Sequence, residues 1–360
     1  MTTPDVDPES APAIDDHWST TIDATEIVAR LRDAKSVALT THARPDGDAI
    51  GSTLALARSL QSGGKQAVPV YSGPWPRRFD PIVGRSKTLR VGALHGPPDL
   101  GFEPDLIVIA DTGSWSQLSE VRAWIEPRRE KCIVIDHHLH GDVEVSDNRL
   151  IERRAAAACE IMAPVCLGVL GLVEARDLPT SIAAPLYVGL ATDTGWFRHS
   201  NVTPHVLRLA SDLLETGIDH SALYQIVEQS DGPERIRLIG RAIASLELHA
   251  DGRAALMIIR KSDLSECGAG TDDVGGLSDF AMTIGSVRVA AVLVELEPDL
   301  TKVSLRSKSR TSDDEIFIDV NQVARGLGGG GHAQAAGVRS NGPAEQARET
   351  ILSALQAALG

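Results

Sequence analysis

Residues 41–52 read T-H-A-R-P-D-G-D-A-I-G-S and follow an apolar run, Ser36-Val-Ala-Leu-Thr40. A short apolar run ending in turn residues reads as a buried strand, here one that hands over to a helix. His42, Asp46 and Asp48 therefore stand at the junction. Taken alone, Asp46-Gly47 fits an ordinary turn, and Asp48 fits an acidic residue complementing the positive end of the helix that follows. The junction gains meaning from what recurs further along the chain.

Between residues about 21 and 200, strand-like runs at 36–41, 67–71, 105–110 and 131–135 alternate with helical patterns. Continuous apolar strands separated by helices predict an α/β fold with a doubly wound, mainly parallel sheet covered on both faces. Ligands of such sheets bind beyond the carboxyl ends of the strands. Three of those ends carry acids or imidazoles: His42 to Asp48, Asp111 after Leu106-Ile-Val-Ile-Ala110, and Asp136-His137-His138 after Cys132-Ile-Val-Ile135. A buried strand needs none of these at its end, so their joint occurrence predicts one shared crevice. A fourth acid, Asp193, closes the helical apolar run 182–190 in Ala191-Thr-Asp-Thr-Gly195.

Oxygen and imidazole donors without thiolates suit Mg²⁺ or Mn²⁺, with the imidazoles favouring Mn²⁺. His42, Asp46, Asp48, Asp111 and His137 already exceed what one ion usually takes, so two ions are expected.

The bulk properties narrow the substrate. A chain of 360 residues with a formal charge of −14 makes a poor partner for a long duplex, whose binding rests on basic surface. Any nucleic acid handled is expected to be short. Four scattered cysteines without a C-x-x-C pair fit a reducing, cytoplasmic setting. Residues 1–20, rich in Pro, Asp, Ser and Thr, read as a disordered tail without the order of a signal peptide. Residues 155–173 are nearly all apolar, but Glu160, Pro164 and the small residues indicate a buried core helix and no membrane span.

Beyond the first domain, taken as 21–203, residues 204–234 read as helical linking segments. Residues 235–360 read as a smaller α+β domain, with strand-like runs at 254–259, 288–296 and 302–305, a glycine-rich turn and a helix over about 344–359.

The four clusters, H-A-R-P-D-G-D-A-I-G-S at 42–52, A-D-T-G at 110–113, D-H-H at 136–138 and T-D-T-G at 192–195, resemble the ordered motifs of the DHH phosphoesterase family. G-G-G-H-A-Q-A-A-G at 329–337 resembles the DHHA1 substrate-binding domain that follows in one branch of it. The resemblance implies that His42, Asp46 and Asp111 hold one Mn²⁺ and that Asp48, Asp111, His137 and Asp193 hold the other, Asp111 bridging. It assigns catalytic roles to Asp136, orienting an imidazole, and to His138, meeting the phosphate or its leaving oxygen. Two Mn²⁺ ions, with Mg²⁺ or Co²⁺ as substitutes, would activate a bridging water. Arg306 and Ser307, together with Gly329, Gly330, Gly331 and His332, would grasp the substrate phosphate in a cleft between the two domains.

The implied activity is that of the compact branch: hydrolysis of single-stranded oligoribonucleotides of two to five units, including pApA, and of 3′-phosphoadenosine 5′-phosphate (pAp). Relatives of this size are often homodimers. Hydrolysis of pyrophosphate or short polyphosphate is the competing enzyme reading, disfavoured by the G-G-G-H motif. A nucleotide sensor without turnover is the non-enzymatic alternative. Arg154-Ala-Ala-Ala-Ala-Cys-Glu160 stands where relatives usually show hydroxyl residues near a helix start. Trp196, Phe197 and His199 follow Asp193 directly, where an aromatic ring could stack on a base. Packing is the simpler reading for Trp196.

Overall fold

The computed structural model describes residues 17–92, 98–310 and 315–360. The chain forms two compact units that divide between Ser230 and Asp231.

The first unit runs α1 (Ala24–Asp33), β1 (Ser36–Thr40), α2 (Gly47–Ser62), β2 (Gln66–Ser72), α3 (Asp80–Val83), β3 (Leu89–Val91), β4 (Leu106–Ala110), α4 (Arg122–Ile125), β5 (Cys132–Asp136), β6 (Asn148–Ile151), α5 (Ala158–Leu170), α6 (Thr180–Asp193), α7 (Pro204–Glu215) and α8 (His220–Glu228). Its sheet has the order β3-β2-β1-β4-β5-β6, with every pairing parallel. All five residues of β1 and of β5 are buried, because helices and loops cover both faces and leave no position for a polar side chain to reach water.

The order reverses between β1 and β4. Where neighbouring strands lead their connections to opposite sides, a crevice opens beyond their carboxyl ends. His42 follows β1 and Asp111 follows β4, so both stand at that crevice.

Helix α2 is buried along 13 of its positions and packs against α6 at glycines. A β-carbon on Gly51 would sit 2.3 Å from the Pro185 carbonyl oxygen. Helix α5, 13 residues long with Pro164 inside, is a core helix as its composition predicts. No helix among the described residues is long and apolar enough to cross a membrane.

Two expectations are corrected. Residues 204–234 are not a separate linker: α7 buries Val206, Leu209, Ala210 and Leu213 in the first core, and the division falls beyond α8. Of the expected disordered tail, residues 1–16 lie outside the described residues, and residues 18–20 are ordered. Trp18 is fully buried, and the Thr20 hydroxyl both donates to the Ile151 carbonyl (2.8 Å) and accepts from its N–H (2.9 Å). Thr20 and Thr21 thereby satisfy the outer edge of β6, which would otherwise expose unpaired backbone groups.

The second unit runs α9 (Pro233–Ala244), β7 (Glu247–His249), β8 (Ala254–Ile259), α10 (Lys261–Cys267), α11 (Leu277–Met282), β9 (Val289–Glu297), β10 (Leu300–Ser307), α12 (Val320–Gly326), β11 (Gly330–His332), β12 (Ala335–Asn341) and α13 (Ala344–Leu359). Its mixed sheet has the order β11-β12-β10-β9-β8-β7, in which only β8 and β9 pair in parallel. Helix α13 covers one face through Ala347, Ile351, Leu355 and Leu359.

Candidate metal centre

Each member of the first unit's cluster owes its place to a local feature. Asp46 caps α2, its Oδ1 accepting from the N–H groups of Asp48 and Ala49 at 3.1 Å each. Asp48 lies in the first turn of α2 and is fully buried. Its carboxylate accepts from the Ala158 and Cys159 N–H groups at 2.5 and 2.8 Å, and so caps α5 in place of a side chain at Ala157. The start of α5, which has no hydroxyl residue among 154–158, is thus capped by a carboxylate brought from α2. Asp111 takes a left-handed conformation (φ 60) directly after β4, and its N–H donates to the Ile135 carbonyl of β5 at 2.9 Å.

Asp111 is the centre of the arrangement. Its Oδ2 lies 3.3 Å from His42 Nε2 and its Oδ1 lies 3.3 Å from His137 Nε2. His42 Nε2 is also 3.8 Å from Asp46 Oδ1, and His137 Nε2 is 3.5 Å from Asp193 Oδ2 and 4.0 Å from Asp48 Oδ2. The other ring nitrogen of His137 meets the Ala155 carbonyl at 3.2 Å, which leaves Nε2 to face the carboxylates. Asp193 is the last residue of α6, its carbonyl held by Asn201 Nδ2 at 3.2 Å.

Ligand atoms of His42, Asp46 and Asp111 lie within 4.8 Å of one another, as do those of Asp48, His137 and Asp193, and those of Asp111, His137 and His138. All six residues expected as ligands converge, and His138 joins them. Asp136 stands behind: fully buried, its Oδ1 faces His138 Nδ1 at 2.7 Å and accepts from the His137 N–H at 2.8 Å. The imidazole that it orients is that of His138, whereas His137 is oriented by a backbone carbonyl.

The carboxylates and imidazoles of the cluster shift one another strongly. Burial works against charge on His42, but Asp111 and Asp46 outweigh it and push the imidazole up to about 11. His137 is likewise pushed up to about 10, with burial opposed by Asp111, Asp48 and Asp193. Burial and the neighbouring Asp111 raise Asp48 well above the usual carboxylate range and Asp193 to about 7. Asp111 is itself desolvated, yet the three imidazoles hold it below the ordinary range. Four carboxylates and three imidazoles, with no thiolate among them, form a donor set that fits divalent ions.

The aromatic residues after Asp193 pack inward. Gly195, Trp196 and Phe197 are successively left-handed. Trp196 packs edge-on to Tyr224 at 4.7 Å and donates through Nε1 to Glu228, while the half-buried Phe197 ring lies 5.9 Å from that of Tyr187. His199 is exposed.

In the second unit, Arg306 is exposed near the end of β10, and the adjacent Ser307 is buried, its N–H donating to the Gln334 carbonyl at 3.1 Å. The glycine tract is less open than a turn would be: Gly330–His332 form strand β11 against β12. The Gly329 and Gly331 N–H groups are committed to the Ala324 carbonyl and Asn321 Oδ1 at 2.7 and 3.0 Å. A β-carbon on Gly329 would sit 2.2 Å from the Gly337 carbonyl oxygen, so close strand packing itself demands glycine there. The His332 side chain lies outside the described residues.

A carboxylate and imidazole cluster beyond the strands of a parallel sheet, at its switch point, defines the class: a metal-dependent hydrolase of phosphoester bonds. Residues 36–190 match the DHH family, N-terminal domain, and residues 259–360 match the DHHA1 domain. The chain is 31% identical over 329 residues to the bifunctional oligoribonuclease and PAP phosphatase NrnA of Thermus thermophilus, covering 88% of each chain. It is 25% identical to the NrnA of Bacillus subtilis, covering 87% of this chain and 92% of that one. An exopolyphosphatase-related protein from Bacteroides fragilis shares the fold at a TM-score of 0.82 and 24% identity, over 92% of this chain and 95% of that one. The chain belongs to the DHH phosphoesterase family, in the branch that carries a C-terminal DHHA1 domain.

Proposed function

We propose that this protein is a Mn²⁺-dependent phosphodiesterase and phosphatase acting on oligoribonucleotides of two to five units, on linear dinucleotides such as pApA, and on pAp. The observation that carries the reading is Asp111, placed with one carboxylate oxygen 3.3 Å from each of two imidazoles that belong to different ligand groups. His42, Asp46 and Asp111 would hold one ion, and Asp48, Asp111, His137 and Asp193 the other. Two bound divalent ions supply Lewis acidity that makes a water nucleophilic near neutral pH and neutralises phosphoryl oxygens.

The chain's own groups do the rest. Asp136 fixes the His138 ring through Nδ1, and the ring would hold or pass a proton at the leaving oxygen through Nε2. The Arg306 guanidinium offers two parallel donors to a terminal phosphate, with Ser307, Gly329, Gly330, Gly331 and His332 beside it in sequence or sheet. The substrate class is supported by the names of the relatives from T. thermophilus and B. subtilis and by the formal charge of −14, which disfavours long duplexes.

The test is product release from 5′-pApA and from pAp, measured with Mn²⁺ and with chelator, in the wild type and in His137→Ala. Turnover that needs Mn²⁺ and vanishes in a folded His137→Ala variant is the expected result. Phosphate released from pyrophosphate but from neither nucleotide would replace this reading, as would full activity in the variant.

A further inference from the structure

Trp18 lies outside both matched domains, yet it is the largest fully buried side chain of the described residues. Its ring presses on two glycines. A β-carbon on Gly113 would sit 1.9 Å from Trp18 Cη2, and one on Gly141 would sit 2.4 Å from Cε2. Gly113 is two residues beyond Asp111, and Gly141 is three beyond His138. The two loops are also tied to each other, since the Asp142 N–H donates to the Gly113 carbonyl at 2.8 Å and Asp142 Oδ2 accepts from the Trp115 N–H at 2.6 Å.

The indole is held from its other sides. It belongs to the same buried apolar cluster as Ile107 and Ile109 of β4 and Val134 of β5, the strands that deliver the two loops. The Arg149 guanidinium lies 5.8 Å from the ring, Arg153 donates to the Trp18 carbonyl, and Thr20 and Thr21 fasten the following residues to β6. Asp111 itself is left-handed, a conformation that persists only where its surroundings enforce it.

We infer that Trp18 is a positioning residue: its ring, seated on Gly113 and Gly141, sets the spacing between the loop that follows Asp111 and the loop that follows His137 and His138. The inference rests on the reading of these residues as metal ligands and a catalytic imidazole. Loss of the ring lets the two loops move separately and loosens the cluster, while the sheet beneath stays paired.

Two measurements test it on Trp18→Ala, Trp18→Phe and Trp124→Ala, the last removing a second buried tryptophan from the same apolar cluster, on α4. Hydrogen exchange is read on peptides spanning residues 111–116 and 137–142, and Mn²⁺ affinity by calorimetric titration, all well below the melting temperature. Trp18→Ala is expected to exchange faster in both loops and to bind Mn²⁺ about 10- to 100-fold more weakly, the range found when groups behind metal ligands are removed. Trp18→Phe, which keeps a flat ring, should recover most of both, and Trp124→Ala should change neither. If Trp18→Ala does not fold, Trp18→Leu, which keeps apolar bulk without the flat ring, takes its place and should loosen both loops and weaken Mn²⁺ binding where Trp124→Ala does not. Wild-type exchange in either loop, or equal effects in the Trp18 and Trp124 variants, overturns the role. A wild-type protein that binds no Mn²⁺ would overturn the metal reading instead, with the exchange pattern still deciding what Trp18 does.

Discussion

Gly189→Ala should damage the site from behind, and its size can be worked from the structure. A β-carbon at Gly189 would sit 2.2 Å from Cys159 Sγ, 2.9 Å from Asp48 Oδ1 and 3.0 Å from Asp48 Cα. Non-bonded heavy atoms settle at about 3.5 Å or more, so α6 must retreat from α2 and α5 by about 1.3 Å. Overpacking of this kind costs up to about 3 kcal/mol, and the better helix propensity of alanine returns about 1 kcal/mol. The net loss of about 2 kcal/mol should lower the melting temperature of a unit of this size by about 4–8 °C. The same retreat displaces Asp48 relative to Asp193, four residues beyond Gly189 on α6, and a misplacement of about 1 Å commonly costs about 100-fold in rate. Adding Cys159→Ala removes the 2.2 Å contact but leaves both contacts to Asp48, so stability should recover further than activity. Gly240→Ala is the control: Gly240 lies within α9 with nothing near its missing side chain, and alanine there should stabilise by about 0.5–1 kcal/mol. Thermal melts and Mn²⁺-dependent turnover of 5′-pApA read both effects. A Gly189→Ala protein that melts with the wild type and turns over as fast would refute the claim that the missing side chain of Gly189 makes room for Asp48.

Asp136→Asn keeps the shape of a buried side chain but no longer matches both backbone N–H groups and the His138 ring; a fall in turnover of about 10- to 100-fold with the melting temperature nearly unchanged is expected, and a wild-type rate would remove Asp136 from the mechanism. All four cysteines are buried, and burial raises the thiols of Cys132 and Cys166 to about 12 and that of Cys159 well above its ordinary value. With so little thiolate at pH 8, Cys132, Cys159 and Cys166 should escape a disulfide reagent in the native protein and react after denaturation, whereas fast native labelling of these three would contradict the packing described.

The N-terminal half was legible because its signals are local. Apolar runs such as Leu106-Ile-Val-Ile-Ala110 announce buried parallel strands, and the acids placed directly after them announce a ligand crevice, since such residues serve no purpose at a buried strand's end. The helical patterns of α7 and α8 were equally visible, but their allegiance was not. A polar, amphipathic helix looks the same whether it links two domains or covers one, and only burial of Val206, Leu209 and Leu213 decides.

Composition misled at two places. Pro, Asp, Ser and Thr suggested disorder up to residue 20, and one tryptophan within that stretch reverses the reading for its last residues, because a ring of that size outweighs the cost of ordering a few residues once a pocket receives it. The glycine tract at 328–331 suggested a turn, whereas Gly330 and Gly331 join an edge strand, and a β-carbon at Gly329 or Gly331 would collide with the backbone of β12.

By itself the sequence determined the kinds of donor atom, their order along the chain and the alternation of strands and helices that brings them to one end of a parallel sheet. Tertiary structure alone decided which carboxylate faces which imidazole: that Asp111 stands between His42 and His137, that Asp48 caps α5, and that Asp136 serves His138. The first two pairings join residues tens of positions apart through the packing of glycine-lined helices and strand ends, and their distances of about 3 Å are a property of that packing, which no local pattern of residues encodes.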